Sequence, residues 1–176
     1  MQGFINNGIE QRTKLYVNTH YYKCCNSCCP IETSIPSGII PLNGVQVQLQ
    51  GGAGALLGNR CSVLFDSEIN KPGSGISYNS QTGIFILPAN KSFYAAWWVA
   101  VDGTEFSSNV EFAILLNNKI AAISSSPLVT CQLSGTALIP GGSEPGALSL
   151  INVSGSTVRY AASTAQANMV IIELYS

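Results

Sequence analysis

The sequence predicts an all-β domain of the sandwich or jelly-roll class, preceded by an extended N-terminal arm. Residues 83–102 alternate apolar side chains at the period of a strand, and about eight to ten such segments are separated by turn residues. No segment shows a sustained helical period. With 176 residues, the chain is long enough for one domain with a real core and an appendage.

Residues 1–42 differ from the rest and are predicted to form the arm. They contain the only histidine, His20, and four of the six cysteines, and they have neither a strand nor a helix period. Because a polar tail without its own core needs something to hold it, we expect the arm to dock on a neighbouring subunit. The jelly roll is then predicted to span residues 43–176.

The first half of the predicted domain opens with the clearest strand in the chain. Val45, Val47 and Leu49 alternate with three glutamines, which is typical of a half-buried strand. The glycine-rich residues 51–58 are predicted to be a loop, because no lysine and no helix follow as phosphate binding requires. Short strands are expected at residues 61–65 and 76–78.

Residues 83–102 are predicted to form two strands joined by a short turn. In the second strand, Phe93, Trp97, Val99 and Val101 share one face, and Tyr94 and Trp98 lie on the other. Both faces are apolar, so both must be covered. The first face is assigned to the core, and the second is expected to pack against another copy of the chain.

The second half supplies the remaining strands. A hairpin is predicted around Asn117-Asn118, because asparagine tolerates the positive φ of a two-residue turn. The last strand is apolar on both faces except at Glu173, so we expect it to lie centrally in its sheet. The further strands are predicted at residues 110–116, 119–123, 129–139, 148–153, 157–160 and 168–175.

Composition excludes several functions. Only 10% of the residues are charged, against about 25% in an average protein, so much of the surface is expected to be hidden by subunit contacts. A net charge of −1 provides no patch for nucleic acid or an anionic membrane. The first residues lack the features of a signal peptide, so we expect no ordinary secretion.

No catalytic site can be assembled from the sequence, and neither enzyme activity nor a cofactor is expected. His20 has no nucleophile in a local motif beside it. Asp66 with Glu68, and Asp102 with Glu105, are interpreted as solvated turn residues, with calcium ligation as the alternative. No complete calcium loop is present.

The four cysteines of the arm, Cys24, Cys25, Cys28 and Cys29, leave three alternatives open. Cys25 and Cys28 have the spacing of a zinc or iron site, but adjacent cysteines cannot easily direct both sulfurs to one metal, and no second ligand pair exists. Covalent cross-linking is favoured, and inert thiols are the third alternative. Cys61 and Cys131 lie in strand-like sequence. Each is interpreted either as a disulfide partner or as a small buried apolar residue.

The segment ISYNSQTGIFILPANKSFYAAWWVAVDG carries a family resemblance. Thr82-Gly83, Phe85, the Pro88-Ala89-Asn90 turn, Tyr94 and the Trp97-Trp98 pair resemble the jelly rolls that end Bacillus collagen-like glycoproteins of the spore exosporium. Those domains are similar to the globular heads of complement and tumour-necrosis-factor-like proteins. The resemblance implies a homotrimer, with an interface assigned to Tyr94, Trp98, Met169 and Ile171. The Gly-X-Y repeat of the glycoproteins is absent, so this chain is not itself a collagen tuft.

The doubled cysteine pair resembles the N-terminal connector of bacterial endospore appendages. That resemblance implies intersubunit disulfides at Cys24, Cys25, Cys28 and Cys29, with Cys61 and Cys131 as further candidates. A spore-surface protein is made in the mother-cell cytoplasm and meets oxidant only after that cell lyses, so disulfides are compatible with the absence of a signal peptide.

Two functions follow as hypotheses. The first is a structural subunit of a spore-surface fibre, exosporium or endospore appendage, in which trimers stack head to tail and meet an anchor protein or a collagen-like tip protein. The second is a trimeric module whose loops bind a receptor or glycan. The cysteine-bearing arm favours the first, because a soluble binding head does not require it.

Overall fold

A computed structural model describes residues 43–51 and 54–174, all of them in strands, turns and loops. The predicted arm, with His20, Cys24, Cys25, Cys28 and Cys29, lies outside the described residues. Over the described ranges, no helix has the length and apolar character needed to cross a membrane. The strands in these ranges are β1 Gly44–Gln50, β2 Leu56–Leu57, β3 Ser67–Asn70, β4 Ser77–Asn79, β5 Ile84–Leu87, β6 Ser92–Thr104, β7 Val110–Leu116, β8 Lys119–Ser126, β9 Thr130–Ile139, β10 Gly146–Asn152, β11 Val158–Tyr160 and β12 Ala165–Leu174.

The strands form two antiparallel sheets that enclose one core. The larger sheet has the order β2-β11-β6-β12-β1-β3, and β9 pairs with the other edge of β6. The smaller sheet has the order β4-β5-β10-β7-β8. The all-β prediction is confirmed, and the last strand, β12, lies between β6 and β1 as expected.

Strand β6 is the longest in the larger sheet and alternates its side chains as predicted. Phe93, Trp97, Val99 and Val101 are buried in the core, while Tyr94 and Trp98 are half-buried on the outward face. Along its length β6 pairs with β9 on one side and with β12 and β11 on the other.

The assignment of Met169 and Ile171 to the interface, which requires them to point outward, is wrong. Both side chains have 0% exposure and belong to the hydrophobic core of a single chain. Met169 is paired with Trp97 and Ile171 with Ala95, and residues directly opposite each other in a sheet point to the same face. Their neighbours Val170 and Ile172 therefore point outward.

Strands β5 and β6 are consecutive but lie in different sheets. The turn between them therefore carries the chain across the sandwich. Asn90 has a φ of 58°, and its N–H donates to the Gly142 carbonyl at 2.6 Å. The predicted turn at this position is confirmed.

The region between β1 and β5 differs most from expectation. Residues 61–65 form no ladder strand and make a single bridge, from Ser62 to Ile151, although Val63 and Phe65 are buried. Strands β2 and β3 were not predicted, because they are short and their residues carry no clear alternation. The two edge strands are held by pairing to β11 and β1.

The Asn117-Asn118 hairpin is confirmed. Both asparagines have positive φ, 51° and 63°, as a two-residue turn between twisted strands requires. The turn joins β7 to β8 at the pair Leu116 and Lys119.

Asn152, which is fully buried, ties two segments together, residues 57–58 and residues 154–156. Its side-chain Nδ2 donates to the carbonyls of Leu57, Gly58 and Ser156, and its Oδ1 accepts from the Ser154 N–H at 3.0 Å. A buried amide needs such partners, because unpaired polar groups are costly to bury. This side chain therefore organises the loops near β2 and β11.

The start of β1 is held by a buried carboxylate. Glu173 forms an ion pair with Lys91 at 2.9 Å and accepts a hydrogen bond from the Asn43 side chain, while the Glu173 N–H donates to the Asn43 carbonyl at 2.9 Å. The hydrogen bond from Asn43, and then the one from Lys91, hold the pKa of Glu173 below its usual range. These contacts anchor the chain where it enters the sandwich.

The indole of Trp97 packs over Gly135, its direct partner on β9. A Cβ added at Gly135 would lie 2.6 Å from Cζ2 of Trp97. The ring also approaches Phe112 of the other sheet, with ring centroids 6.0 Å apart, so it bridges the two layers. Position 135 thus requires glycine for space.

We expect Gly135→Ala to destabilise the domain by about 1–3 kcal/mol, because the added methyl group forces the buried indole to move. Urea unfolding followed by tryptophan fluorescence measures the loss. Gly142→Ala is the control, because the nearest atom to its new Cβ would be the Glu144 carbonyl oxygen at 3.5 Å, an ordinary contact. Equal stability of the two variants would contradict the packing described.

We expect Glu173→Gln to make the domain less stable at neutral pH but less sensitive to acid. The lowered pKa means that the unfolded chain takes up this proton at a higher pH than the folded chain. The stabilisation is therefore present above the unfolded pKa of about 4.3 and is lost as the pH falls through the lower folded pKa. Thermal unfolding from pH 7 to pH 3 measures it.

The exposed Glu144 provides the control, as Glu144→Gln. If the melting temperature of Glu173→Gln fell with acid as steeply as that of the wild type, the Glu173 contacts would not be a source of stability.

Candidate subunit interface

The outward face of the larger sheet brings together side chains from four neighbouring strands. The register aligns Leu138, Tyr94 and Ile172 in one row across β9, β6 and β12. The next row contains Thr136, Ala96, Val170 and Gln46, and the third contains Ser134, Trp98, Asn168 and Gln48. No charged residue occurs in these three rows.

The face changes in character along the strands. The first row is apolar, and Leu138 is 74% exposed. In the third row, Trp98 lies beside Asn168, whose side-chain Oδ1 accepts hydrogen bonds from Gln46 and Gln48. The surface thus combines aromatic and aliphatic side chains with a cluster of amides and the hydroxyl groups of Thr136 and Ser134, which is a composition suited to a protein interface.

Two of the four residues assigned from the sequence, Tyr94 and Trp98, lie on this face, and the other two, Met169 and Ile171, do not. The sequence reasoning missed Leu138, Val170, Ile172 and Asn168. Alternation on the last strand could have placed Val170 and Ile172 together, but its one charged residue, Glu173, shared the parity of Met169 and Ile171 and favoured the wrong face.

One end of the sandwich receives the chain from residue 42. At this first end, Asn43 contacts Glu173, and the pair Ser92 and Leu174 closes the β6–β12 ladder. The turns at residues 88–91, 117–118 and 140–145 lie at the same end, linked by bonds such as Asn90 N–H to the Gly142 carbonyl.

The second end, opposite the first, carries the loop 105–109 and the turn 127–129. Phe106 is 91% exposed, yet its N–H donates to Ser156 Oγ at 3.1 Å, so an ordered loop displays the ring. Leu128 and Leu56 are also exposed here. A cavity of about 150 Å³ also lies at this end, lined by Leu56, Asp102, Gly103, Thr104, Glu105, Thr157 and Arg159.

The two described cysteines are near this second end and carry free thiols. Cys131 is half-buried and pairs with Val101, close to the end of β6. Cys61 is exposed, and its carbonyl accepts from the N–H of Asn152 at 3.1 Å. Neither is bonded to the other, so any cross-link at these positions requires a thiol from elsewhere. The predicted roles of Cys61 and Cys131 stay predictions.

Three of the four paired carboxylates, those of Asp66, Glu68 and Asp102, make local contacts. Asp66 Oδ1 accepts from the Gln50 N–H at 2.9 Å, Glu68 pairs with Lys71 at 3.5 Å, and Asp102 accepts from Thr130 Oγ1 at 3.4 Å. In the part of the chain that the structure describes, no three histidine, cysteine or acidic residues cluster as a metal site needs.

Comparison with known proteins finds likeness in structure and none in sequence. No protein-family model matches the chain, and no curated protein sequence matches it significantly. The structure of Eiger TNF from S. frugiperda aligns over 78% of this chain and 95% of its own with a TM-score of 0.56 and 7% identity. The globular domain of zebrafish complement 1qA protein aligns over 75% and 95% with a TM-score of 0.52 and 9% identity.

The PRD1 vertex protein P5 is also similar, over 78% of this chain and 99% of its own, with a TM-score of 0.50 and 16% identity. At such identities the likeness concerns the fold alone. The described domain therefore has the jelly-roll fold seen in tumour-necrosis-factor and complement-head domains.

Proposed function

We propose that this chain is a structural subunit of a bacterial spore-surface fibre, exosporium or endospore appendage. In this proposal, homotrimers stack head to tail, and residues 1–42 of each copy link it to the next through disulfides. The protein is made in the mother-cell cytoplasm, and it meets an anchor protein or a collagen-like tip protein at the ends of the fibre. It has no catalytic role.

The outward face of the larger sheet supports a homotrimer. It presents Tyr94, Trp98, Val170, Ile172 and Leu138 to solvent in a chain with only 10% charged residues. Exposed apolar surface of this kind marks interaction sites. The fold is shared with complement and tumour-necrosis-factor domains, and the resemblance of residues 76–103 to the exosporium jelly rolls implies the threefold arrangement.

The single observation that best supports head-to-tail stacking is that the two ends of the domain differ. The chain enters at the first end, beside Glu173 and Lys91, whereas Cys61, Cys131 and the exposed Phe106 lie at the second end. A cysteine-bearing segment that leaves one copy at the first end finds thiols at the second end of the next copy. Such an interface is heterologous and continues until something blocks it.

Distance does not limit this arrangement. A folded domain of about 135 residues has a radius of gyration of roughly 14 Å, so its diameter is roughly 37 Å. An extended segment of 30 residues reaches up to about 100 Å. Three arms per trimer engage the neighbour together, which makes each link multivalent.

The second candidate is a trimeric module that binds a receptor or glycan through its loops. The feature that favours it is the second end, where the loop 105–109 exposes Phe106 and where Glu105 of the same loop lines the cavity of about 150 Å³. An exposed aromatic side chain on a fixed backbone is typical of a binding anchor. This candidate predicts discrete trimers, whereas the fibre predicts long unbranched filaments by electron microscopy.

We expect Trp98→Glu to give a folded monomer, with the affinity between copies reduced by about 100-fold or more, because three carboxylates replace three indoles at an apolar interface. Light scattering measures the mass. The control is Ile86→Glu, an exposed position on the other sheet, which should leave the trimer intact. Trp97→Ala, in contrast, should destabilise the domain itself by about 3–5 kcal/mol. A trimeric Trp98→Glu would contradict the assigned face.

Deletion of residues 1–30, which removes four of the six cysteines, should give soluble trimers that neither elongate nor join full-length filaments as incoming subunits. Electron microscopy measures elongation, and a non-reducing gel of boiled full-length material measures the covalent links. Filaments of normal length and spacing from the truncated chain would show that the arm is not the connector, and the binding module would then be the better account.

A further inference from the structure

The outward face of the larger sheet contains a cluster of three amide side chains, in which two glutamines donate hydrogen bonds to the same oxygen of an asparagine. Asn168 Oδ1 accepts from Gln46 Nε2 at 3.0 Å and from Gln48 Nε2 at 3.3 Å. Asn168 lies on the inner strand β12, between Trp98 of β6 and Gln48 of β1, and it is only 9% exposed. A polar cluster thus interrupts a face that is otherwise largely aromatic, aliphatic and small.

The cluster leaves both donors and acceptors for another molecule. The two lone pairs of Asn168 Oδ1 are engaged by the glutamines, but among the described residues no hydrogen bond uses Asn168 Nδ2 or the Oε1 atoms of Gln46 and Gln48. A primary amide nitrogen offers two hydrogens, and each glutamine carbonyl offers two lone pairs. The set is therefore self-complementary, which suits a second copy of the same chain.

We propose that Asn168, held by Gln46 and Gln48, sets the number and register of copies that meet on this face. The inference rests on the proposed homotrimer. When the surrounding apolar rows are buried between copies, the free Asn168 amide must find an acceptor on a neighbour or remain unpaired. Only arrangements that bring the amides together satisfy it, so all others are disfavoured.

The apolar side chains and the amides of this face make different contributions to the interface. Leu138, Tyr94, Ile172 and Trp98 supply apolar area, which is attractive but does not discriminate between arrangements. The amides supply little affinity, because a hydrogen bond across the interface replaces one to water. Their contribution is to penalise dimers, tetramers and slipped trimers in which the amides are buried without partners.

The first test is Asn168→Val in the full-length chain, examined under reducing conditions by native mass spectrometry. Loss of the amide should change one uniform trimer into a mixture in which about a tenth or more of the protein has another copy number, while resistance to dissociation stays equal or rises. Ser149→Val is the matched control on the outward side of the other sheet, and it should remain uniformly trimeric. A uniformly trimeric Asn168→Val would overturn the proposal.

The second test is Asn168→Asp at neutral pH. A carboxylate still accepts hydrogen bonds from Gln46 and Gln48 within its own chain, so the fold is retained. It cannot donate a hydrogen bond to a neighbour, and it repels the same carboxylate in the other two copies of the trimer. We expect a chain with native circular dichroism whose trimers dissociate at a concentration at least about tenfold higher than the wild type. Unchanged trimers would show that Asn168 serves its own sheet only and would also overturn the proposal.

The wild type separates this inference from the proposed function. A monomeric wild type in the same measurement would contradict the homotrimer itself. A trimeric wild type together with uniform Asn168→Val trimers would leave the homotrimer standing and reject only the role of Asn168.

Discussion

The structure depends on one constraint, which is that strand β6 is apolar on both faces. Its inward face, through Phe93, Trp97 and Val99, binds the two sheets into a single core. Its outward face, with Tyr94 and Trp98, cannot be covered by the smaller sheet, which already packs on the other side. This one strand accounts for the core, for the close contact between Trp97 and Gly135, and for the need for a partner on the outward face.

Long strands were predictable from the sequence because their side chains must alternate. β1, β6 and β12 bury most of one face, and a shift of one residue would exchange core and surface. The segment between residues 51 and 70 was not predictable in the same way. β2 and β3 are held by pairing to strands that are distant in the sequence. Val63 and Phe65 are buried although the backbone that carries them is irregular. None of these residues therefore follows a local period.

The candidate interface was predictable only in part. Tyr94 and Trp98 follow from alternation within one strand, but Leu138 and Asn168 join them only through the register of β9 and β12 with β6. Alternation leaves two choices of face for each strand, and Glu173 indicated the wrong one for β12. That carboxylate is buried because Asn43 and Lys91 reach it from elsewhere in the chain, which no local pattern reveals.

The entry of the chain at Asn43 has a mechanical consequence. Strand β1 begins there and runs antiparallel to β12, paired with it from Gly44 to Gln50. A pull on Asn43 along the axis of β1 therefore loads the ladder in shear, because its hydrogen bonds are perpendicular to the strands. The bonds share such a load together instead of opening one after another. In a fibre linked through this residue, tension would fall on the most resistant direction of the sheet.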